Sequence, residues 1–380
     1  MKQGWEYKKL GEVCHITMGQ SPDGKSINDN EGVEFHQGKT CFGERTLGVS
    51  ILFSNAPVKL AEAHSVLLCV RAPVGYPNIT NRKICIGRGL CALYAKKDID
   101  NTFLFYSLLG KQSHFEKNAT GSTFKAISSK VISNTEIPLP PKSIQLAIVS
   151  ELDKINELIR LKKEQLKDYD NLTQSIFYEM FGDPVENEKG WEVKKIGDVC
   201  TDIRYGTSKP ACENGCYKYL RMCNITDDGF LNLSNLKTID IPDDEIEKCI
   251  VRHGDILFNR TNSIELVGKT CMFDNSEPMV IAGYIIRVRL NERLLPVVLA
   301  RMFNLVSIKK KLRSIAKGAV NQANINSKEL ASIRISLPPL PLQHLFAQRI
   351  EQIERQKSAV QKSITDLETL LASRMQYWFE

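Results

Sequence analysis

Apolar residues recur every third or fourth position in two long stretches of this chain. From Ile148, steps of four and three reach Leu152, Ile155, Ile159, Lys162, Leu166, Tyr169, Thr173, Ile176 and Met180, eight apolar positions of ten. Near the end of the chain the same steps give Phe346, Ile350, Ile353, Lys357, Val360, Ile364, Leu367, Leu371, Arg374 and Trp378, again eight of ten, in the same register. An apolar stripe this narrow buries poorly against a broad globular surface. It therefore predicts two long helices packed on one another. Each stripe follows a Leu-Pro-Pro, at 139–141 and 337–339, which ends the preceding segment and allows a helix to start. A helix from 148 to 180 would be about 50 Å long, and the pair would act as a spacer.

The remaining sequence alternates on a shorter period. "HSVLLCVRAPVG" (64–75), "KICIGRGLCALYA" (83–95), "GDILFNRTN" (254–262) and "MVIAGYIIRVRL" (279–290) are short apolar runs that end in turn residues, as strands do. "NTFLFYSLLGKQSHFEK" and "LPVVLARMFNLVSIKKKLRSIA" have helical spacing. The expected fold class is α+β: two similar globular domains, each with a twisted sheet, joined by two long antiparallel helices forming a coiled-coil spacer.

The two domains are expected to be similar because the chain repeats itself. "GWEYKKLGEVC" (4–14) returns as "GWEVKKIGDVC" (190–200) with eight of eleven positions identical. "KAISSKVISNTEIPLPPKSIQLAIVSELDKI" (125–155) is answered by "QANINSKELASIRISLPPLPLQHLFAQRIEQI" (322–353), so that Gln145 aligns with Gln343. Each half has a variable middle between similar flanks, related by a pseudo-two-fold. The expected domains are 1–142, a helix and joint at 143–189, 190–340, and a second helix at 341–380.

Charge follows the same division. Residues 1–142 carry 18 Lys/Arg against 12 Asp/Glu (+6) and residues 190–340 carry 22 against 17 (+5), while 143–189 and 341–380 sum to −4 and 0. Two basic blocks joined by acidic or neutral connectors suit a polyanion gripped in two places. Eleven scattered cysteines, without disulfide-scaffold spacing, fit reduced thiols in a cytosol. No apolar run of 18 residues is present to span a membrane.

Catalytic motifs are imitated and not met. "SIELVGKT" (263–270) and "VEFHQGKT" (33–40) end like phosphate-binding loops but lack the first glycine. "GRGLCA" (87–92) fits a dinucleotide fingerprint without the helix or the distal acidic residue. Cys212, Cys216 and Cys223 have spacing unlike that of a zinc site. The chain reads as a binder, and no metal is expected. Arg71, Asn259, Arg260 and Asn262 fall at the ends of matching strands, as exposed loop tips suited to a shared binding role.

The two openings, "VRAPVG", "GDILFNRTNS…LVGKT", "GSTFKAISSK…IPLPP" before a long helix, and the joint "MFGDP" together resemble the specificity subunit of type I restriction-modification systems over essentially the whole chain. The second half departs from the pattern at "GAVNQANINSK" (318–328). The resemblance implies a non-catalytic subunit whose two target-recognition domains each read one half of a bipartite, gapped site in double-stranded DNA. Its partners would be two modification subunits and two restriction subunits, which would carry S-adenosylmethionine, ATP and Mg, and this chain would bind no cofactor itself. Candidate DNA contacts are Gln20, Ser21, Arg71, Ser122, Thr123 and Lys125 in the first domain. In the second they are Arg204, Tyr205, Thr207, Lys209, Arg221, Asn259, Arg260 and Asn262. The helix spacer would bury Ile148, Leu152, Ile155 and Leu166 with Ile350, Ile353, Ile364 and Leu367. Two rival readings are a stand-alone DNA-binding regulator, which would bind tightly alone, and a nuclease or methyltransferase in its own right, which would turn over without other subunits.

Overall fold

The computed structural model describes residues 5–121, 125–319 and 322–379. By its internal contacts the chain forms two compact units, residues 1–163 with 362–380, and residues 164–361. The division crosses both long helices, Lys142–Phe181 and Leu340–Phe379. Both helices start where the prolines permit, and Pro341 sits in the first turn, where its missing N–H costs nothing.

In the first unit a four-stranded antiparallel sheet runs in the order Cys14–Met18, Leu90–Ala95, Val66–Cys69, Pro77–Ile79, and a separate pair joins Glu6–Lys9 to Glu136–Leu139. Strand Val66–Cys69 is buried on both faces, and its period of two divides it between two cores. Val66 and Leu68 pack with Phe103, Leu104, Ile148 and Leu152 on the helical side. Leu67 and Cys69 pack with Ile84, Ile86 and Leu90 against a five-stranded second sheet. That sheet includes the parallel pairing of Val33–His36 with Ile84–Ile86. Asp100 caps the helix Asn101–Leu109 by accepting from the amides of Thr102 (2.8 Å) and Phe103 (3.1 Å).

The second unit repeats the plan. Its sheet runs Cys200–Tyr205, Ile285–Leu290, Ile256–Asn259, Thr270–Met272, and Glu192–Lys195 pairs with Arg334–Leu337. Ile256 and Phe258 face the core that holds Phe177, Phe181 and Phe346, and Leu257 faces the other side. The variable middles differ. Here the second sheet has four strands, and an additional three-stranded sheet joins Thr261–Asn262, Gln322–Asn324 and Lys317–Ala319.

The two long helices are antiparallel within each unit. In the first, Glu151 meets Arg374 (Nη2 to Oε2, 3.0 Å) and Trp378 (2.9 Å), and Lys163 meets Glu368 (3.2 Å). In the second, Lys357 meets Asp170 at 2.5 Å. Both polar interruptions of the second stripe, Lys357 and Arg374, are thus ion-paired to the other helix. Ile148, Leu152, Ile155, Ile350, Ile353 and Ile364 are buried as the stripe requires, whereas Leu166 and Leu367 are half-buried. The ends of the helices do more than pack on one another. Ile148 and Leu152 belong to the core of the first unit, and Ile350 and Ile353 to that of the second. The helices therefore line the core of each unit as well as packing on one another, where mutual packing was expected.

Candidate nucleic-acid interface

In each unit the strand that crosses from the second sheet into an inner position of the main sheet does so through a tight turn, tied by hydrogen bonds to loops from distant parts of the sequence. In the first unit this turn is Gly87–Arg88–Gly89. The amides of Gly87 and Gly89 donate to the carbonyls of His36 (2.8 Å) and Gln37 (3.1 Å), and that of Val70 donates to Gly89 (2.9 Å). The Gln20 amide donates to Ile86 (3.0 Å), and Ser21 Oγ accepts from the Arg88 amide at 3.4 Å. Ala72 N–H donates to the Lys125 carbonyl (3.2 Å). Gln20, Ser21, Arg71 and Lys125, separated by up to 105 positions in sequence, therefore stand on one connected set of loops. Among the described residues, the side chains of Gln20, Arg71, Arg88 and Lys125 are exposed and have no hydrogen-bond or ion-pair partner. Ser122 and Thr123 lie outside the described residues.

The second unit builds the same turn from Ala282–Gly283–Tyr284. The Ala282 amide donates to Leu220 (2.9 Å), that of Gly283 to Thr207 (2.7 Å), and that of Arg260 to Tyr284 (3.0 Å). Gly19 and Gly206 are equivalent, donating to Leu90 (2.9 Å) and Ile285 (3.1 Å). A Cβ on either would lie 2.1 Å from a backbone carbonyl, of Gly87 or Ile281, so only glycine lets the loop approach the turn. Gln20 and Thr207 follow these glycines and occupy matching places.

The Arg260 guanidinium lies 4.8 Å from the ring centroid of Tyr205 and donates from Nη1 to the Gly283 carbonyl at 3.2 Å. Its Nε is buried without a partner. The Tyr205 hydroxyl accepts from the Ser327 amide (2.8 Å), which fixes the ring. Other candidates have hydrogen-bond or ion-pair partners within the fold. Arg204 Nε pairs with Asp202 (2.8 Å), Lys209 with Glu245 (2.9 Å), and Arg221 donates to the Asn235 carbonyl (2.9 Å). Asn262 accepts from the Ser263 amide at 2.9 Å, and Thr207 from the Lys209 amide at 3.1 Å.

Two expectations need correction. Asn259 is not a loop tip: it ends the strand Ile256–Asn259 and is fully buried, out of reach of a duplex. Nor does Arg71 correspond to Arg260. The Ile127 amide donates to Val70 (3.0 Å) and the equivalent Ile325 amide to Arg260 (2.9 Å), so Val70 is the partner position and Arg71 aligns with Thr261. Arg88 and Tyr284 were missed altogether. The available signal was a glycine-flanked arginine between two strands, within the segment that imitates a dinucleotide fingerprint. Leu90–Ala95 after it is a strand, and Thr270, where the imitated phosphate-binding loop 263–270 ends, likewise begins one. Among the described residues no three His, Cys, Asp or Glu side chains converge as metal ligands, and no helix is long and apolar enough to cross a membrane.

The same plan recurs in known proteins. The chain is 39% identical over 178 residues to a putative type I restriction enzyme MjaX specificity subunit of Methanocaldococcus jannaschii, covering 46% of this chain and 42% of that one. The MjaIX specificity subunit of that organism is 25% identical, over 55% of this chain and 54% of its own length. These two matches thus span about half of each relative. The MjaVIII specificity subunit matches at 21% identity over 97% of this chain and 92% of its own length. The fold is shared with a crystal structure of a type I restriction-modification S subunit from M. genitalium (TM-score 0.55, 15% identity, 100% and 98% coverage). It is shared also with a structure from a study of complex assembly and conformational transition of the type I R-M system (TM-score 0.66, 20% identity, 100% and 98% coverage). The family model described as type I restriction modification DNA specificity domain matches twice, at residues 2–168 and 188–369, so each half is one copy and the chain belongs to that family.

Proposed function

We propose that this chain is the DNA sequence-reading subunit of a type I restriction-modification complex and has no chemistry of its own. Each unit would read one half of a bipartite site through the loops gathered at its turn. The carrying observation is that two family-matched halves gather polar loops at the same end of equivalent four-stranded sheets, with different side chains at equivalent positions. Equivalent frames suit equivalent partners, and divergent side chains suit two different half-sites.

In this reading Lys125 and Arg71 hold phosphates and set register, while Gln20, Arg88, Thr207 and Arg260 face base edges. The long helices fix the distance between half-sites. Two modification subunits would dock on the repeated flanks and carry S-adenosylmethionine, and two restriction subunits would add ATP- and Mg-dependent cleavage. The test is a genome-wide map of adenine methylation in the host with and without this gene. Loss of one bipartite, gapped motif on deletion is the expected result. An unchanged map from an expressed complex that co-purifies with its methyltransferase would refute the proposal.

A further inference from the structure

The turn that leads into the inner strand of the main sheet is the same in both units, but the guanidinium beside it comes from different backbone positions. In the first unit the turn itself supplies it, as Arg88, and the neighbouring strand end is Val70. In the second unit the turn position is Gly283, which has no side chain, and the strand end supplies Arg260, whose Nη1 lies on the Gly283 carbonyl at 3.2 Å. One arginine thus stands at this spot in each half, reached by two routes.

From this exchange we infer that Arg88 and Arg260 are the specificity-determining residues of their units, each reading one guanine edge. The inference rests on the chain being a DNA-sequence reader and deepens that reading. Three observations carry it. Both arginines stand on stiff supports. A Cβ on Gly89 would lie 2.2 Å from the Gln37 carbonyl and one on Gly87 3.0 Å from Gln37 Cα, so the turn around Arg88 is packed tight. Arg260 is stacked on Tyr205 and held by Gly283. Neither is used up by the fold, since among the described residues no carboxylate pairs with either, unlike Arg82, Arg204, Arg287 and Arg289. Among the described residues the Arg88 head has no partner, and the one hydrogen bond of the Arg260 guanidinium runs from Nη1 to Gly283, leaving Nη2 uncommitted. Finally, a planar guanidinium matches the O6 and N7 acceptors of guanine two to two, and a lysine ammonium cannot.

The test replaces each arginine by lysine in the full complex, keeping charge and phosphate affinity while removing the fork. Methylation maps of the wild type, Arg88→Lys and Arg260→Lys are compared, with Arg88→Ala and Arg260→Ala alongside. The expected result is relaxation at one G·C position in one half of the motif for Arg88→Lys and at one position in the other half for Arg260→Lys. Discrimination there should fall roughly 5- to 150-fold, with the opposite half unchanged. If the lysine variants keep the wild-type motif, with only uniformly weaker binding in the alanine variants, the arginines are phosphate clamps and the inference is overturned while the proposed function stands. If the wild-type complex yields no bipartite motif, both fall together.

Discussion

Gln145 and Gln343, 198 residues apart, hold the same three hydrogen bonds in their separate units. Gln145 Oε1 accepts from the Asp100 amide (2.9 Å), and its Nε2 donates to the carbonyls of Asp98 (2.9 Å) and Pro140 (2.8 Å). Gln343 accepts from the Leu295 amide (2.9 Å) and donates to Arg293 (3.0 Å) and Pro338 (2.8 Å). Both side chains are fully buried. Each glutamine fastens the first turn of a long helix to the loop entering the helical layer of its unit. It satisfies backbone groups that would otherwise be buried and unpaired.

Replacing either glutamine by leucine keeps the volume and strands one amide and two carbonyls. Since each orphaned buried polar group costs about 1–3 kcal/mol, the three together should cost each variant about 3–9 kcal/mol of unfolding free energy. The two losses should be similar, because the bonding is. Urea unfolding of the full chain, followed by hydrogen exchange to separate the two units, measures this. Loss confined to one variant would mean that the two joints are not energetically equivalent.

The first unit contains a largely buried ionic cluster around Glu34. Burial alone would raise the pKa of Glu34. Instead a bidentate pair with Arg82 (2.5 and 2.6 Å), the Ser50 amide (2.7 Å) and His36 (2.8 Å) hold its carboxyl at about 2. A carboxylate depressed in the folded state stabilises above its ordinary value of 4.5, and that contribution is lost as pH falls toward 2. The loss amounts to about 3 kcal/mol. His36, its pKa lowered chiefly by burial, pushes in the same direction, since protonating it is also disfavoured in the folded state. The first unit should therefore unfold before the second on acidification from pH 7 to 3. Glu34→Gln should flatten that dependence while lowering stability at neutral pH. Hydrogen exchange in the strands Val33–His36 and Ile84–Ile86 reports it, and equal acid sensitivity of the two units would refute it.

What could be read from sequence was whatever repeats. The eleven-residue opening, the Leu-Pro-Pro and the heptad stripe are local patterns, and they located the halves, the long helices and their antiparallel pairing. What escaped depends on register between distant strands. Arg71 and Arg260 end similar-looking runs, yet hydrogen bonds from Ile127 and Ile325 show them to be one position out of step. Asn259 has a loop residue's chemistry but sits on the inward face of its strand, where neither atom of its amide finds a partner. Arg88 was hidden because glycines on both sides made its segment resemble a dinucleotide fingerprint. Only the carbonyls of His36 and Gln37 reveal it as a turn between the two sheets.

Lys125 separates phosphate binding from base reading. It is exposed, without a partner among the described residues, and its carbonyl anchors the Arg71 loop through the Ala72 amide. Lys125→Ala should weaken binding to cognate and unrelated duplexes by the same factor. The slope of log affinity against log salt should shrink by about one phosphate contact, close to 0.9. Titrations of the assembled complex at several salt concentrations test this. Weakening limited to the cognate site would instead make Lys125 a base contact.

Gly19 and Gly206 carry the last prediction, since the loops that bear Gln20 and Thr207 exist only because these residues lack a Cβ. Alanine at either position would drive a methyl to 2.1 Å from a carbonyl oxygen, of Gly87 in one unit and Ile281 in the other, where backbone cannot yield as a flexible side chain could. The loop must therefore lift from the turn, breaking the Gln20–Ile86 or Thr207–Ile281 hydrogen bond (3.0 and 2.9 Å). Each substitution should cost on the order of 2–4 kcal/mol as overpacking plus a lost hydrogen bond. Because the damage sits at the turn of one unit, Gly19→Ala should erode recognition of one half-site and Gly206→Ala of the other, while the helix pair and its partners still assemble. Methylation maps of complexes carrying each variant measure it. Equal erosion of both halves by either substitution would show that the two units do not read independently.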